Sequence, residues 1–138
     1  MAKKETVGIV LAGGKGSRLY PSTKSISKQL LPVYDKPLIY YSLSILMLTD
    51  IRKILIICAA DQLKLYENLF GNGSKLGLDI TYEVQRHPKG IGEAFLIGSE
   101  FIGKSNVCLV LGDTSLWGSG LTGLLMKSKK IIKGGRIF

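Results

Sequence analysis

The run Val7-Gly8-Ile9-Val10-Leu11-Ala12-Gly13-Gly14-Lys15-Gly16-Ser17-Arg18-Leu19 constrains this chain more than any other part of it. Val7–Ala12 is apolar on both faces, the pattern of a central parallel strand that is covered from both sides. The glycines that follow let successive backbone N–H groups turn into one concavity, and Lys15 and Arg18 add positive charge beside it. A loop of this kind at the end of a buried strand is a nest for an anion. Spacing removes two better-known loops. A Walker A loop needs Ser or Thr after its lysine, and Gly16 follows Lys15. A dinucleotide loop needs a third glycine three positions after Gly16, where Leu19 stands. Taken alone, the run is also compatible with a glycine-rich strand–helix turn that holds no ligand.

Three more β-rich runs follow, at Lys53–Ala60, Ile80–Gln85 and Val107–Leu111, alternating with helical patterns. Ile80–Gln85 alternates more than the others, as a strand nearer an edge does. Pro37 fits the first turn of a helix through about Leu48, and Asp61 fits the N-cap of one through Phe70, stopped by Gly71. Gly90–Phe101 and Leu121–Ile132 complete the set. Alternation of this kind predicts a mostly parallel sheet between two helical layers, a three-layer α/β/α fold formed as one domain over residues 1–138. Ligands of such sheets sit beyond the carboxyl ends of the strands. The loops Gly13–Arg18, Gln85–Gly92 and Gly112–Gly120 are therefore expected to converge on one cleft. Gly134-Gly135-Arg136-Ile137-Phe138 reads as a turn and the start of a further strand.

The chain carries 19 basic and 10 acidic side chains, a formal net charge of +9. That excess fits an anionic partner, and a nucleoside triphosphate satisfies it as well as nucleic acid does. Lys127, Lys129, Lys130, Lys133 and Arg136 account for much of it near the end of the chain, where a charge run reads as a solvated helix face, so no nucleic-acid partner is expected. The two cysteines, Cys58 and Cys108, each fall inside a buried strand and read as core residues, with neither a disulfide nor a metal pair expected. The polar start of the chain does not resemble a signal peptide, and Pro37–Leu48 is too short to span a bilayer, so the expectation is a cytoplasmic protein with no membrane partner.

Other candidates lie away from the first loop. Lys28 sits in an apolar, non-periodic segment, either reaching the surface or held towards the same anion. Asp113 ends the last strand; it reads equally as a turn-capping residue and as the carboxylate that Mg²⁺ takes beside phosphate oxygens. Gln85 ends the third strand and can present an amide donor and acceptor to a base edge. His87, the only histidine, has no evident partner and reads as a loop residue.

Together these residues resemble the sugar nucleotidyltransferase family. Gly13–Leu19 resembles the pyrophosphorylase signature that several nucleotidyltransferases share. The longer run Ser27-Lys28-Gln29-Leu30-Leu31-Pro32-Val33-Tyr34-Asp35-Lys36-Pro37-Leu38-Ile39-Tyr40-Tyr41 is more discriminating and resembles the family's thymidylyltransferase branch, and Leu111-Gly112-Asp113 matches its metal-binding strand end. The resemblance covers almost the whole chain but only the first half of a typical member. It implies a Rossmann-like nucleotidyltransferase fold, cut short on its C-terminal side. It also implies attack of glucose-1-phosphate on the α-phosphorus of dTTP, giving dTDP-glucose and pyrophosphate. Leu11, Gly13, Gly14, Gly16, Ser17 and Gln29 would then hold the nucleotide. Arg18 and Lys28 would be the catalytic cations, Gln85 and Gly90 would read a thymine or uracil edge, and Asp113 would bind Mg²⁺. Partners of that kind are dTTP or UTP and a sugar-1-phosphate, and relatives often form homo-oligomers. The alternatives are a uridylyl- or cytidylyltransferase, and a non-catalytic nucleotide-binding or assembly module. Two positions depart from the family: Thr114 stands where Asn is usual, and Ile91-Gly92-Glu93-Ala94 stands for Leu-Ala-Gln-Ala. Both are expected to bear on sugar contacts more than on nucleotide contacts. The family's second metal-binding Asp and its sugar-binding Glu-Lys segment have no counterpart here, so the chain is expected to bind nucleotide and to turn over poorly.

Overall fold

The structure, a computed structural model, describes residues 4–130 and the backbone of 136–137. In chain order its elements are β1 (Thr6–Ala12), β2 (Pro32–Val33), β3 (Lys36–Pro37), α1 (Ile39–Leu48), β4 (Lys53–Cys58), α2 (Leu63–Phe70), β5 (Asp79–Val84), α3 (Gly92–Ile97), α4 (Ser99–Ile102), β6 (Asn106–Leu111), α5 (Leu121–Lys130) and β7 (Arg136–Ile137). Five strands form one sheet in the order β5-β4-β1-β6-β7, and every pairing is parallel. The two runs that are apolar on both faces lie adjacent, with Ile9 opposite Leu55 and Val10 opposite Ile56.

Alternation along these strands divides the core into two layers. Val10, Ile54, Ile56 and Val110 join Leu43 and Leu46 of α1, Tyr66 and Phe70 of α2 and Leu125 of α5 on one face. Ile9, Leu55, Ile57 and Leu109 face Ala94, Phe95 and Ile97 of α3 and Phe101 and Ile102 of α4 on the other. The result is the expected three-layer α/β/α arrangement. Cys58 and Cys108 are both buried and unpaired, as read from their strands. Each fully buried Ile or Leu in these layers is worth about 1.5–3 kcal/mol of transfer free energy.

Several boundaries differ from the sequence reading. The second main strand ends at Cys58, two residues early, because Ala59 and Ala60 turn out of the ladder towards α2. Asp61 does not cap α2. The residue before the helix is Gln62, whose side chain is committed elsewhere, and Asp61 only accepts a 3.3 Å bond from the Gln62 amide. Pro37 lies in β3, paired antiparallel with Pro32, and α1 starts two residues later; the proline needs no N–H at that position either. The single helix expected over Gly90–Phe101 is two, α3 and α4, divided at Gly98. A Cβ at Gly98 would lie 3.0 Å from the Ile9 Cδ1 and 3.1 Å from the Leu55 Cδ2, so the bare backbone is what lets this layer seat on the sheet. β5 is the edge strand that its alternation suggested, and Arg136–Ile137 do pair with β6. Ile132, Lys133, Gly134, Gly135 and Phe138, named in the sequence reading, lie outside the described residues.

The chain steps from β1 outward to β4 and β5, then returns to β6 on the other side of β1. The strand order therefore reverses between β1 and β6. In open α/β sheets a ligand crevice forms at such a point, beyond the carboxyl ends of the strands.

Candidate nucleotide site

The loop after β1 is irregular from Gly13 to Gly16 and closes with a 3₁₀ turn over Ser17–Leu19. Gly16 holds φ 59° and ψ 32°, a left-handed conformation that other residues adopt at a cost of about 1–2 kcal/mol. Thr23 fixes the turn by donating its Oγ1 hydrogen to the Gly16 carbonyl at 2.7 Å. Among the described residues, the amides of Gly14, Lys15, Gly16, Ser17 and Arg18 meet no protein acceptor. A run of unsatisfied donors on an exposed concave loop is an anion nest. The Arg18 side chain is exposed beside them and, among the described residues, forms no ion pair.

Beneath the loop runs a chain of buried hydroxyl and amide groups. Ser27 donates to the Oε1 of Gln29. That spends the only proton of the serine, so Tyr66 donates to Ser27 Oγ across 2.8 Å. Burial pushes the Tyr66 phenol well above its ordinary range, which keeps it a neutral donor. Gln62, at the start of α2, accepts the Ser27 amide at 2.8 Å and ties the segment to the end of β4. With its oxygen committed, Gln29 turns its Nε2 towards the loop, 3.9 Å from where a Cβ of Gly14 would lie.

Lys28 and Asp113 stand at the end of β6, their Nζ and Oδ2 2.9 Å apart and each about one-third exposed. The segment that carries Asp113 is held by Ser42, inside α1, whose hydroxyl lies 2.9 Å from the Leu111 and Thr114 carbonyls. Lys28 thus neutralises Asp113 while leaving Oδ1 without a charged partner among the described residues. No group of three His, Cys, Asp or Glu side chains gathers there or elsewhere among them. One carboxylate fits Mg²⁺ only where phosphate oxygens complete the coordination, the manner in which Mg²⁺ is commonly held beside nucleotides.

Gln85 follows β5 and is buried, its amide N–H bonded to the Cys58 carbonyl at 2.8 Å. Its side chain runs under Gly13, where any Cβ would collide with Oε1. The Nε2 donates to the Glu93 carboxylate at 2.6 Å, and the same Glu93 oxygen accepts the Lys89 amide at 3.1 Å. The Gln85 amide and, after it, the Lys89 N–H hold the Glu93 carboxyl below the usual range, so it is ionised. Glu93 thus contacts Gln85, the candidate base-reading residue, directly.

A cavity of about 670 Å³, within the size range of small-ligand sites, opens between the β1 loop, the 23–27 segment and the ends of β4 and β5; of the three loops expected to converge, Gly112–Gly120 contributes no lining residue. Gly13, Gly14, Lys15 and Ser17 form one wall, Thr23, Lys24 and Ser27 a second, and Ala59, Asp61, Gln62, Gln85, Arg86 and Pro88 the third. Of the candidates, Gly13, Gly14, Ser17 and Gln85 line it directly. Gly16 shapes the loop behind them, and Gln29, Lys28 and Asp113 stand towards β6. Leu11 remains in the β1 ladder, packs on the α3 face and accepts the Gly112 amide at 2.8 Å. Gly90 is exposed with nothing within 4 Å of its Cβ position, and His87 is likewise an exposed loop residue.

Comparison with known proteins then decides the family. The model of the nucleotidyl transferase family matches residues 7–135. The chain belongs to this family. Glucose-1-phosphate thymidylyltransferase of Neisseria meningitidis serogroup A is 53% identical over 131 residues, covering 95% of this chain and 46% of that protein. The Mycobacterium tuberculosis enzyme of the same name is 50% identical over 131 residues, again 95% of this chain and 45% of that protein. A Bacillus anthracis structure assigned as glucose-1-phosphate thymidylyltransferase, in complex with sucrose, superposes with a TM-score of 0.81 at 34% identity, over 91% of this chain and 51% of that one. A UDP-glucose pyrophosphorylase complexed with UDP-glucose follows at a TM-score of 0.70 and 26% identity, over 93% and 54%. The chain thus spans about half the length of the curated relatives it matches.

Three of the residues around this candidate site, Thr23, Gln62 and Tyr66, were not singled out from the sequence; the segment that carries Thr23 and Ser27 meets the start of α2 only in the fold. Ser42 also went unremarked, although a lone hydroxyl on the buried side of an apolar helix is a signal.

Proposed function

We propose that residues 1–138 act as one nucleotidyltransferase domain that supplies the nucleotide-binding side of a glucose-1-phosphate thymidylyltransferase. The observation that carries this reading is the run of free amides at Gly14–Arg18 beside a cavity floored by Gln85. In this account Gly13, Gly14, Gly16 and Ser17 cradle the triphosphate of dTTP or UTP, with Leu11 anchoring the strand beneath. Gln29 directs its Nε2 to a phosphate or ribose oxygen. Arg18 and Lys28 hold positive charge against the α-phosphate while a sugar-1-phosphate oxygen attacks it and pyrophosphate leaves. Such a transfer needs positioning and charge stabilisation and no covalent enzyme intermediate. Asp113 would hold Mg²⁺ together with phosphate oxygens, and the ion would supply further charge neutralisation there. Lys28 then moves from Asp113 to phosphate, a short exchange of one anion for another. Gln85, with the Gly90 loop beside it, reads the base. The names of the relatives support glucose-1-phosphate and thymidylyl transfer as the reaction.

With one carboxylate for the ion, the chain by itself is expected to bind the triphosphate and to turn over slowly. Pyrophosphate release from dTTP, glucose-1-phosphate and Mg²⁺ is the test. A low rate that Arg18→Ala abolishes is expected. Release that survives Arg18→Ala would remove this loop from the chemistry.

A further inference from the structure

One side chain joins the two halves of this cleft. Lys28 begins a 3₁₀ turn over Lys28–Leu30, and its Cβ lies 3.0 Å from where a Cβ of Gly16 would stand, beside the loop of free amides. Its Nζ is 2.9 Å from Asp113 Oδ2, at the candidate metal carboxylate, and is the only cation paired with Asp113 among the described residues. The two partners differ in freedom. Asp113 is carried on a segment whose Leu111 and Thr114 carbonyls are held by Ser42. Gly112 next to it is packed so closely that a Cβ would lie 2.9 Å from the Gln29 Cγ. The Lys28 backbone is held as well, its carbonyl accepting the Leu31 N–H at 3.1 Å, but the four-carbon stem beyond it is flexible and one-third exposed. In any exchange of partners the ammonium moves and the carboxylate stays.

We propose that Lys28 is a lock on the Asp113 carboxylate, and that a triphosphate releases it. In the free chain the ion pair closes Asp113 to a divalent cation arriving alone. A triphosphate on the Gly14–Arg18 amides offers the ammonium a more highly charged anion beside its own stem, and drawing Lys28 away bares Asp113. Part of the coupling between triphosphate and cation therefore runs through Lys28, and by linkage each ligand strengthens the other by the same factor. The inference rests on the reading of the cleft as a nucleoside triphosphate site.

Calorimetry with dTTP in EDTA, and the EPR signal of Mn²⁺ without nucleotide, test it on the full chain, with melts to show that each variant is folded. For Mn²⁺ alone, Lys28→Met should bind about fivefold or more tightly than wild type, because a unit positive charge beside the divalent ion has gone. Lys28→Arg keeps the charge and the pair and should bind Mn²⁺ as weakly as wild type. Asp113→Asn added to Lys28→Met should remove the gained affinity, which places the ion at this carboxylate. For dTTP in EDTA, Asp113→Asn should tighten binding about two- to fivefold, the strength of an ion pair as exposed as this one, by freeing Lys28 for phosphate. In the Lys28→Met background the same change should do little. Equal Mn²⁺ affinity in wild type and Lys28→Met overturns the proposal. So does an Asp113→Asn gain of the same size in both backgrounds, which would mean that the carboxylate only repels phosphate. Both results leave the nucleotide reading intact. Failure of dTTP to bind any of these folded chains removes that reading, and the coupling with it.

Discussion

Gly16→Ala tests the loop at its tightest point. The new Cβ would stand 3.0 Å from the Lys28 Cβ and 3.0 Å from the Thr23 Cγ2, and the backbone there has φ 59°. The left-handed conformation costs a residue with a Cβ about 1–2 kcal/mol. Loss of chain entropy in the unfolded state returns about 0.4–1 kcal/mol. The steric conflict adds to the cost, because Thr23 is held by its 2.7 Å bond to the Gly16 carbonyl and cannot move away freely. The net loss of stability is about 1–2 kcal/mol, a fall in Tm of ~3–8 °C for a domain of this size. Triphosphate affinity should suffer more, by about tenfold or greater, since both Lys28 and the nest amides are displaced. Gly123→Ala is the control: it lies inside α5 with nothing within 4 Å of its Cβ position. It should raise stability by about 0.5–1 kcal/mol and leave binding alone. Thermal melts and calorimetric titration with dTTP read both effects. A Gly16→Ala protein that keeps its wild-type Tm and affinity would refute the assignment of this conformation to nucleotide binding.

Lys28→Met removes a partly exposed ion pair, so stability should change by no more than about 1 kcal/mol, while triphosphate affinity drops several-fold; denaturant melts and titration separate the two. Tyr66→Phe deletes the donor that ends the Ser27–Gln29 chain and should cost about 1 kcal/mol in urea unfolding, with weaker nucleotide binding as Gln29 loosens. Burial raises both cysteine thiols to about 11, so neither should react with iodoacetamide at pH 8 in the native state, and both should react in urea. Unfolded thiols lose their proton near pH ~8.5 and the folded ones do not. Those groups therefore make stability fall as pH rises from that value towards 11, which melts across an alkaline series would show.

Much of the fold was legible because its signals are local. Val7–Ala12 and Ile54–Ile57 are apolar on both faces, and that alone places them in the middle of a covered parallel sheet. Pro37 misled because a proline suits a strand end as well as a helix start, and the two-residue ladder with Pro32 has no periodicity to read. Gly98 misled for a different reason: its lack of a side chain serves packing on Ile9 and Leu55, a contact set by tertiary structure. The site divides in the same way. The loop of free amides at Gly14–Arg18 is written in consecutive residues, so its glycine-rich run was visible. Lys28 and Asp113, 85 positions apart, were both singled out, but their 2.9 Å contact comes only from the fold. The orientations of Gln29 and Gln85 depend on Ser27, Tyr66 and Glu93, and no spacing rule carries that information.

The account stands or falls on whether the nest and cavity hold a nucleoside triphosphate. Calorimetric titration of the chain with dTTP and Mg²⁺ measures this directly, with pyrophosphate as competitor and Arg18→Ala alongside. Saturable one-to-one binding that pyrophosphate displaces and Arg18→Ala abolishes is the predicted result. No binding by a chain whose melt shows an intact fold, or binding indifferent to Arg18, would contradict it.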